Sequence, residues 1–397
     1  MNRRDFITSM GGAVAFAAAS GASDAKADNI PSFAKGAEKL GPIITSSSIE
    51  SNPALKGKGA ALFIDDAIWF LRDLARHKPK SLFDSAFLKP LKEAHDRYGL
   101  KLQINLFYRT DFYYGMDEFT LAEVPDSYKA EWQANKDWLR LGFHSLQEFP
   151  DYPWVNIDYD DVKKLFLMTK GEIDRFAGEG VFTTALVPHW CPMSKDGCRA
   201  LKDLGVKLME CSVGPRYRYD GDRSRLPYGH AMRIENNRKP ETAFFWRDTR
   251  DKSILSSVCS YNHISAKEEA ATKNSYRFVK DLDTGMAFKH LFNDAPVLNL
   301  VDVPTLKADI TKLLGKEMLV FSNHEQYFFK EYFAYQSDYM EKVMVMSEMM
   351  AKNGYRFIFI EDIVASVEFE VSVSINSIYF IKTKENTNER FGCWLSS

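Results

Sequence analysis

The feature that most constrains the fold is an alternation of short apolar runs with segments of helical spacing. The runs have the length of buried strands, and the segments between them repeat their apolar residues at helical intervals. Strands are predicted over residues 60–64, 100–107, 138–143, 181–187, 206–209, 317–322 and 356–360. Helices are predicted over 68–76, 83–98, 162–176, 194–204 and 335–353. About seven repeats of strand and helix are typical of a parallel α/β arrangement, either a barrel or a doubly wound sheet.

Composition places the chain among ordinary globular proteins. Of its 397 residues, 45% are hydrophobic and 27% are charged, and the formal net charge is −2. This charge would not attract nucleic acid, so we expect no nucleic-acid partner. No apolar run reaches the ~18 residues that a membrane span requires, so we expect no integral membrane segment. The 29 Phe, 18 Tyr and 7 Trp residues suit a large core and also rings that stack on sugars.

The first 27 residues have the pattern of an export signal. Arg3 and Arg4 begin the segment, a soft apolar stretch follows over 10–19, and small residues at 25–27 suit a cleavage site. The paired arginines resemble a twin-arginine signal. We therefore expect a twin-arginine signal peptide, recognised by the twin-arginine export machinery. The protein is expected to be exported, either periplasmic or extracellular.

Three segments are expected after this signal peptide at 1–27. Residues 28–57 are rich in Pro, Gly and Ser and are predicted to be an extended lead-in. Residues 58–365 hold the strand–helix alternation, with a polar, Arg-rich insertion near 215–250. Residues 366–397 do not continue the alternation and are predicted to be a hairpin or a disordered tail.

Acidic and imidazole side chains follow the predicted strands at the points where the strands end. Asp65 and Asp66 end the first strand, and His144, His189 and His324 follow later ones. Because the carboxyl ends of parallel strands share one face, these five side chains are expected to converge. A structural, hydrogen-bonded role explains any single one of these histidines equally well. The whole set favours a site for a divalent metal ion such as zinc.

A site of this composition suits hydrolysis. A bound divalent ion lowers the pKa of its water toward ~7 and polarises a carbonyl oxygen. A carboxylate that does not bind the ion can take a proton from this water, and an imidazole on the opposite side can protonate the leaving group. Adjacent aspartates on a strand point in different directions, so one can bind the metal while the other acts as the base.

The chain resembles the polysaccharide deacetylase family, which removes N- or O-acetyl groups from sugars with a divalent metal. The resemblance covers roughly residues 58–365. The similar segments, in the family's order, are Phe63-Ile64-Asp65-Asp66, His144-Ser145-Leu146-Gln147-Glu148, Val187-Pro188-His189-Trp190-Cys191-Pro192, Phe321-Ser322-Asn323-His324 and the closing helix-to-strand turn at 353–359. The resemblance implies an α/β fold, a distorted (β/α)7-type barrel.

The resemblance also implies a role for each residue. Asp65 would be the catalytic base and His324 the catalytic acid, with a metal-activated water as the nucleophile. Asp66 and His144 would be metal ligands, and the cofactor would be a divalent ion, zinc in the first instance. The expected function is that of an exported, metal-dependent carbohydrate deacetylase-like hydrolase, acting on a carbon–nitrogen or ester bond.

Two residues depart from the family's pattern. Glu148 stands where the second metal-binding histidine is expected, and His189 stands where the third motif has an arginine. Either Glu148 or His189 is therefore expected to complete the metal site, since carboxylate and imidazole both bind zinc. Two alternative functions follow from these departures. One is a glycoside hydrolase on the same barrel, and the other is a non-catalytic glycan-binding relative.

Seven further residues near the expected mouth of the site are candidates for binding a carbohydrate substrate. Their aromatic rings can stack on sugars, and their charged groups can bond hydroxyls. They are Tyr108, Arg109, Asp111, Asp151, Trp154, Trp190 and Glu325. Asp151 and Trp154 are expected on a loop that carries them to the rim, and Glu325 is expected to orient His324 or to touch the substrate.

Overall fold

A computed structural model describes most of the strand–helix region of the chain. The described residues are 43–49, 52, 54–110, 118–148, 153–154, 157–189, 193–210, 258–259, 277–289, 295–332 and 334–370. The expected signal peptide at 1–27, the insertion near 215–250 and the tail beyond 370 lie outside them. Within this part of the chain, no helix combines the length and the hydrophobicity that crossing a bilayer requires.

Thirteen strands are found among the described residues, many of them only two residues long. They are β1 (Ile43–Ser46), β2 (Gly59–Ala67), β3 (Leu102–Phe107), β4 (Leu139–Ser145), β5 (Ala185–Leu186), β6 (Met193–Ser194), β7 (Leu208–Met209), β8 (Val258–Cys259), β9 (Phe278–Asp281), β10 (Ala287–Lys289), β11 (Met318–His324), β12 (Arg356–Phe357) and β13 (Phe369–Glu370). The four longest of them, β2, β3, β4 and β11, form the centre of the fold.

Eight α-helices accompany these strands in the described segments. They are α1 (Trp69–His77), α2 (Leu88–Tyr98), α3 (Lys129–Asn135), α4 (Tyr159–Phe176), α5 (Lys195–Asp203), α6 (Val303–Leu313), α7 (Tyr339–Lys352) and α8 (Ile360–Val364). Short 3-10 turns occur at Leu82–Asp84, Leu121–Glu123, Asp126–Tyr128, Leu298–Leu300 and Glu325–Phe328. The helix predicted over 83–98 therefore begins only at Leu88, and the one predicted over 335–353 begins at Tyr339.

The central sheet is parallel, with the strand order β11–β2–β3–β4. Strand β2 is its middle member, and all nine of its residues are buried. Parallel strands covered on both faces are almost continuously apolar, which explains the run from Ala60 to Ile64. The short β12 also pairs in parallel with the first two residues of β2. The parallel α/β class predicted from the alternation is thereby confirmed.

A second sheet extends this arrangement beyond β4. A single parallel bridge from Leu141 to Phe182 leads to β5, which pairs in parallel with β7, and β7 pairs in parallel with β10. Strands β9, β1 and β13 then continue the sheet with antiparallel pairing. The described residues do not show the sheets closing on each other. A mostly parallel α/β fold is therefore established, and a (β/α)7-type barrel stays a prediction.

Two apolar clusters lie on the two faces of β2. The larger cluster contains Leu62 and Ile64 together with residues of the helices, and the smaller one contains Ala61 and Phe63. Because side chains alternate across a strand, the face of Phe63 continues to Asp65. The smaller cluster therefore ends in a polar side chain at the carboxyl edge of the sheet.

Glu325 connects the end of β11 to the helix that follows β2. Its Oε2 accepts hydrogen bonds from the backbone N–H groups of Ile68 and Trp69 at 2.8 and 2.9 Å, and its Oε1 accepts one from Phe70 at 2.7 Å. The first N–H groups of a helix lack partners within it, and Ile68 at the N-cap has no side-chain acceptor. Burial raises the pKa of Glu325 to about 8, although the three N–H donors lower it. The predicted contact of Glu325 with His324 or substrate is wrong, because both carboxylate oxygens anchor α1.

We expect Glu325→Ala to lower the free energy of unfolding by roughly 3 kcal/mol, because leaving a buried donor without a partner costs about 1–3 kcal/mol. Urea denaturation followed by circular dichroism measures this loss. The exposed Glu331 provides the control, and Glu331→Ala should stay within about 0.5 kcal/mol of the wild type. Equal stability of the wild type and Glu325→Ala would show that α1 does not depend on this carboxylate.

Candidate metal centre

Three buried side chains, Asp66, His144 and His189, meet at the carboxyl edge of the parallel strands. The Oδ1 atom of Asp66 lies 3.0 Å from Nε2 of His144 and 3.1 Å from Nδ1 of His189. The two ring nitrogens lie 3.0 Å from each other. Ligand atoms of a tetrahedral zinc ion bound at about 2.0–2.1 Å lie about 3.3 Å apart. Separating the three atoms by a few tenths of an ångström would therefore accommodate the ion.

The backbone at Asp66 departs from strand geometry. Its φ of +57° lies in the left-handed region, which residues other than glycine seldom adopt. The register between β2 and β3 also shifts between Ile64 and Ala67. In a regular strand Asp65 and Asp66 would point to opposite faces. The irregularity lets the side chains of two consecutive aspartates lie in one region. Strained backbone of this kind tends to occur at functional sites.

Both imidazoles are held from behind by backbone carbonyl groups. Nδ1 of His144 lies 2.5 Å from the Val187 oxygen, and Nε2 of His189 lies 2.9 Å from the Glu148 oxygen. A carbonyl oxygen can only accept, so these nitrogens carry a ring proton and, when the rings are neutral, the opposite nitrogens present lone pairs. Two lone pairs and a carboxylate oxygen face one another. This donor set fits a divalent cation, with the outer hydrogen bonds that metal-binding histidines usually make.

The charges of the three residues are coupled. Burial lowers the pKa of His189, but the Asp66 carboxylate outweighs it and raises the pKa to about 9. Burial raises the pKa of Asp66, but His189 and His144 hold it well below its usual value. Metal binding requires the neutral imidazole. A proton on His189 and a divalent ion are therefore alternative partners of the same carboxylate.

The predicted catalytic pair, Asp65 and His324, lies beside these three residues. The pairing of β2 with β11 places Asp65 opposite His324. Oδ1 of Asp65 accepts a hydrogen bond of 2.6 Å from Nδ2 of Asn105, and Gly142 leaves the space for this amide, since a Cβ there would collide with its oxygen. Burial raises the pKa of Asp65, although the charges of His144 and His324 lower it.

His189, rather than Glu148, lies with Asp66 and His144. The Oε2 atom of Glu148 instead accepts a hydrogen bond from the amide of Gln326, and its backbone oxygen holds the ring of His189. Glu148 thus supports His189, the other candidate for the third metal-binding position. The motif pattern could not distinguish the two, because the path of the backbone after β4 decides which atom of Glu148 faces the site.

The residues predicted to bind substrate differ in their burial and contacts. Trp154 is only 1% exposed and packs on the ring of Phe143 at 5.2 Å, so its predicted place at the rim is wrong. Tyr108 is half-buried against the larger apolar cluster, and Nε of Arg109 donates to Oε1 of Gln147 at 2.6 Å. Asp111, Asp151 and Trp190 lie outside the described residues, so their substrate contacts stay predictions.

Sequence reasoning missed several buried polar residues on the strands of the fold or at their ends. Glu210 follows β7 and Lys289 ends the neighbouring β10, and both are almost fully buried. They continue the faces of Leu208 and Ala287, which belong to the smaller apolar cluster. Each follows a short apolar run, the same signal that identified the histidines. The sequence did not single out Asn105, because this residue lies within β3 among alternating apolar residues and not at the end of a strand.

No protein-family model matches the chain, and neither a curated protein nor a solved structure matches it. The fold and the site define an α/β protein with a buried cluster of one aspartate and two histidines that could bind a divalent cation. What this site does is therefore inferred from its own geometry and chemistry.

We expect Asp66→Asn, His144→Ala and His189→Ala each to weaken zinc binding by at least about 100-fold, since changes to residues around metal ligands already cost 10–100-fold. Calorimetric titration of the metal-stripped protein with zinc measures the affinity. Asn adopts left-handed backbone more readily than most residues, so Asp66→Asn removes the charge with little strain at that position.

Glu148→Gln is the matched control for these three variants. It should keep zinc affinity within about tenfold of the wild type, because the backbone oxygen of residue 148 that holds His189 is retained in this variant. Loss of zinc binding in Glu148→Gln together with normal binding in His189→Ala would assign the third ligand position to Glu148 instead.

Proposed function

We propose that the protein is a metal-dependent hydrolase that removes an N- or O-acyl group from a carbohydrate. The observation that supports it most is the buried cluster of Asp66, His144 and His189, with Asp65 and His324 on neighbouring strands beside it. The resemblance of the motifs to the polysaccharide deacetylase family implies the same chemistry. A distorted (β/α)7-type barrel is part of this proposal.

Asp66, His144 and His189 would hold the divalent ion. Two neutral imidazoles and one carboxylate suit zinc, and three protein ligands leave a fourth position open, as in catalytic zinc sites. When bound, the ion lowers the pKa of a water toward ~7 and polarises the carbonyl oxygen of the acyl group.

Asp65 would act as the base. Asn105 fixes its Oδ1 atom at 2.6 Å, which orients the carboxylate and leaves Oδ2 to take a proton from the attacking water. The negative charge of Asp66 is engaged by two imidazoles at 3.0 and 3.1 Å, so this neighbour is less suited to that role.

His324 would act as the acid. Its Nδ1 atom lies 2.9 Å from Oδ1 of Asn299, so in the doubly protonated ring Nε2–H is the group left to give a proton to the leaving amine or alkoxide. The pairing of His324 with Asp65 in the register of β11 and β2 supports this assignment, since it brings the proposed acid and base from neighbouring strands.

The substrate and its location are part of the same proposal. The twin-arginine pattern of the first residues supports export, so the glycan would be met in the periplasm or outside the cell. A glycosidase needs two carboxyl groups flanking the scissile bond, each with its own role. Here Asp66 is bound to two imidazoles, which favours the metal hydrolase over the glycosidase.

Asp65→Asn is expected to lower turnover by roughly 10²–10⁴-fold, the usual contribution of a general base, while zinc content stays near that of the wild type. Acetate release from a panel of N- and O-acetylated oligosaccharides measures turnover, and elemental analysis measures zinc. The exposed Asp96 gives the control, because Asp96→Asn should leave both quantities unchanged. Normal turnover in Asp65→Asn would remove Asp65 from the mechanism.

Exhaustive chelation is expected to abolish acetate release, and stoichiometric zinc is expected to restore it. The physical reason is that a water whose pKa is not lowered by a metal ion is a poor nucleophile at neutral pH. Acetate release that survives complete removal of the metal would contradict the proposal, and release of reducing sugar without acetate would support the glycosidase.

A further inference from the structure

A buried lysine, Lys342, is connected to His324 by a chain of hydrogen bonds. Lys342 on α7 is fully buried, and its ammonium group donates to Oε1 of Gln336 at 2.5 Å and lies 3.1 Å from Oδ1 of Asp338. Burial lowers its pKa, although Asp338 raises it. Burying a charge is destabilising unless the charge is well paired. An apolar residue would fill this place on α7 at less cost.

The hydrogen bonds of Lys342 continue to the catalytic acid of the proposed function. Nε2 of Gln336 donates to the backbone oxygen of Asn299 at 2.8 Å, and Oδ1 of Asn299 lies 2.9 Å from Nδ1 of His324. Gln336 and Asn299 are each only 1% exposed. Four residues from three separate segments thus form one buried chain.

The ammonium group fixes the orientation of the Gln336 amide. Lys342 can only donate, so the oxygen of Gln336 must face it and the amide nitrogen must face Asn299. The backbone oxygen of Asn299 is thereby tied to α7, and the side-chain oxygen of the same residue, a separate group, faces Nδ1 of the imidazole. An oxygen can only accept from Nδ1, which keeps the ring proton there and leaves Nε2 without one in the neutral ring.

We propose that Lys342, Gln336 and Asn299 are positioning residues that hold His324 in the Nδ1–H tautomer with Nε2 directed to the reaction. The catalytic part of this inference rests on the proposed function, whereas the tautomer does not. An amide oxygen orients the ring without placing a negative charge beside it, unlike the carboxylate that often accompanies a catalytic histidine. The chain therefore controls geometry and tautomer.

The first test is the tautomer of His324 in the zinc-loaded full-length protein. Nitrogen-15 NMR of histidine-labelled protein distinguishes the two tautomers, and the signals that disappear in His324→Gln identify the residue. We expect the Nδ1–H form in the wild type and a mixture of both forms in Asn299→Ala. The Nε2–H form in the wild type would overturn the proposal, whatever the protein hydrolyses.

The second test is kinetic. We expect Asn299→Ala to lower kcat about 100-fold, the effect of misplacing a reacting group by about 1 Å, with KM and zinc content unchanged. Asn299→Asp keeps the accepting oxygen and should recover most of the Nδ1–H tautomer and of kcat. Lys342→Met should lower kcat about tenfold, because Gln336 loses its partner and holds Asn299, and hence His324, less firmly in place.

Ser347→Ala, at another buried polar position of α7, is the control and should match the wild type in both tests. If Asn299→Ala or Lys342→Met does not fold, Gln336→Met interrupts the same chain and replaces it in both measurements. Wild-type kcat and tautomer in the folded variants would overturn the proposal. Absence of turnover with every substrate, together with the expected tautomers, would instead refute the proposed function and leave the positioning intact.

Discussion

The structure around the site depends on one constraint, the meeting of three electron-rich atoms in a buried place. Oδ1 of Asp66, Nε2 of His144 and Nδ1 of His189 lie 3.0–3.1 Å from one another. Backbone carbonyl groups hold the far side of each ring, so both near nitrogens offer lone pairs. Such an arrangement is stable only when a cation, either a proton or a metal ion, is shared among the three atoms.

The rest of the fold brings these three atoms together. β2 is paired on both sides and buried along its whole length, and its left-handed residue Asp66 turns the carboxylate toward the rings. Two sets of contacts join the end of β11 to β2 and to the helix that follows it. Strand pairing continues up to His324, and Glu325 accepts hydrogen bonds from the first N–H groups of α1. Asp65, His324 and Asp66, the proposed base, acid and metal ligand, are therefore parts of one connected unit of the fold.

Much of this arrangement follows from local pattern. Apolar runs predicted β2, β3, β4 and β11 and their parallel pairing, and the rule that such strands end on one edge anticipated that Asp66, His144 and His189 would meet. The predictions for Trp154, on a loop, and for Glu325, after a strand, failed because position along the chain does not say which way a side chain points. Trp154 packs into the core and Glu325 binds the N–H groups of α1.

The sequence by itself determined the class of fold and the edge at which the reactive groups gather, because both follow from periodicity and from the order of apolar runs. Only the tertiary structure decided that His189 rather than Glu148 lies with Asp66 and His144, and that a buried Lys342 reaches His324 through two amides. These outcomes depend on contacts between residues far apart in the chain and on backbone turned out of regular geometry, neither of which a local pattern records.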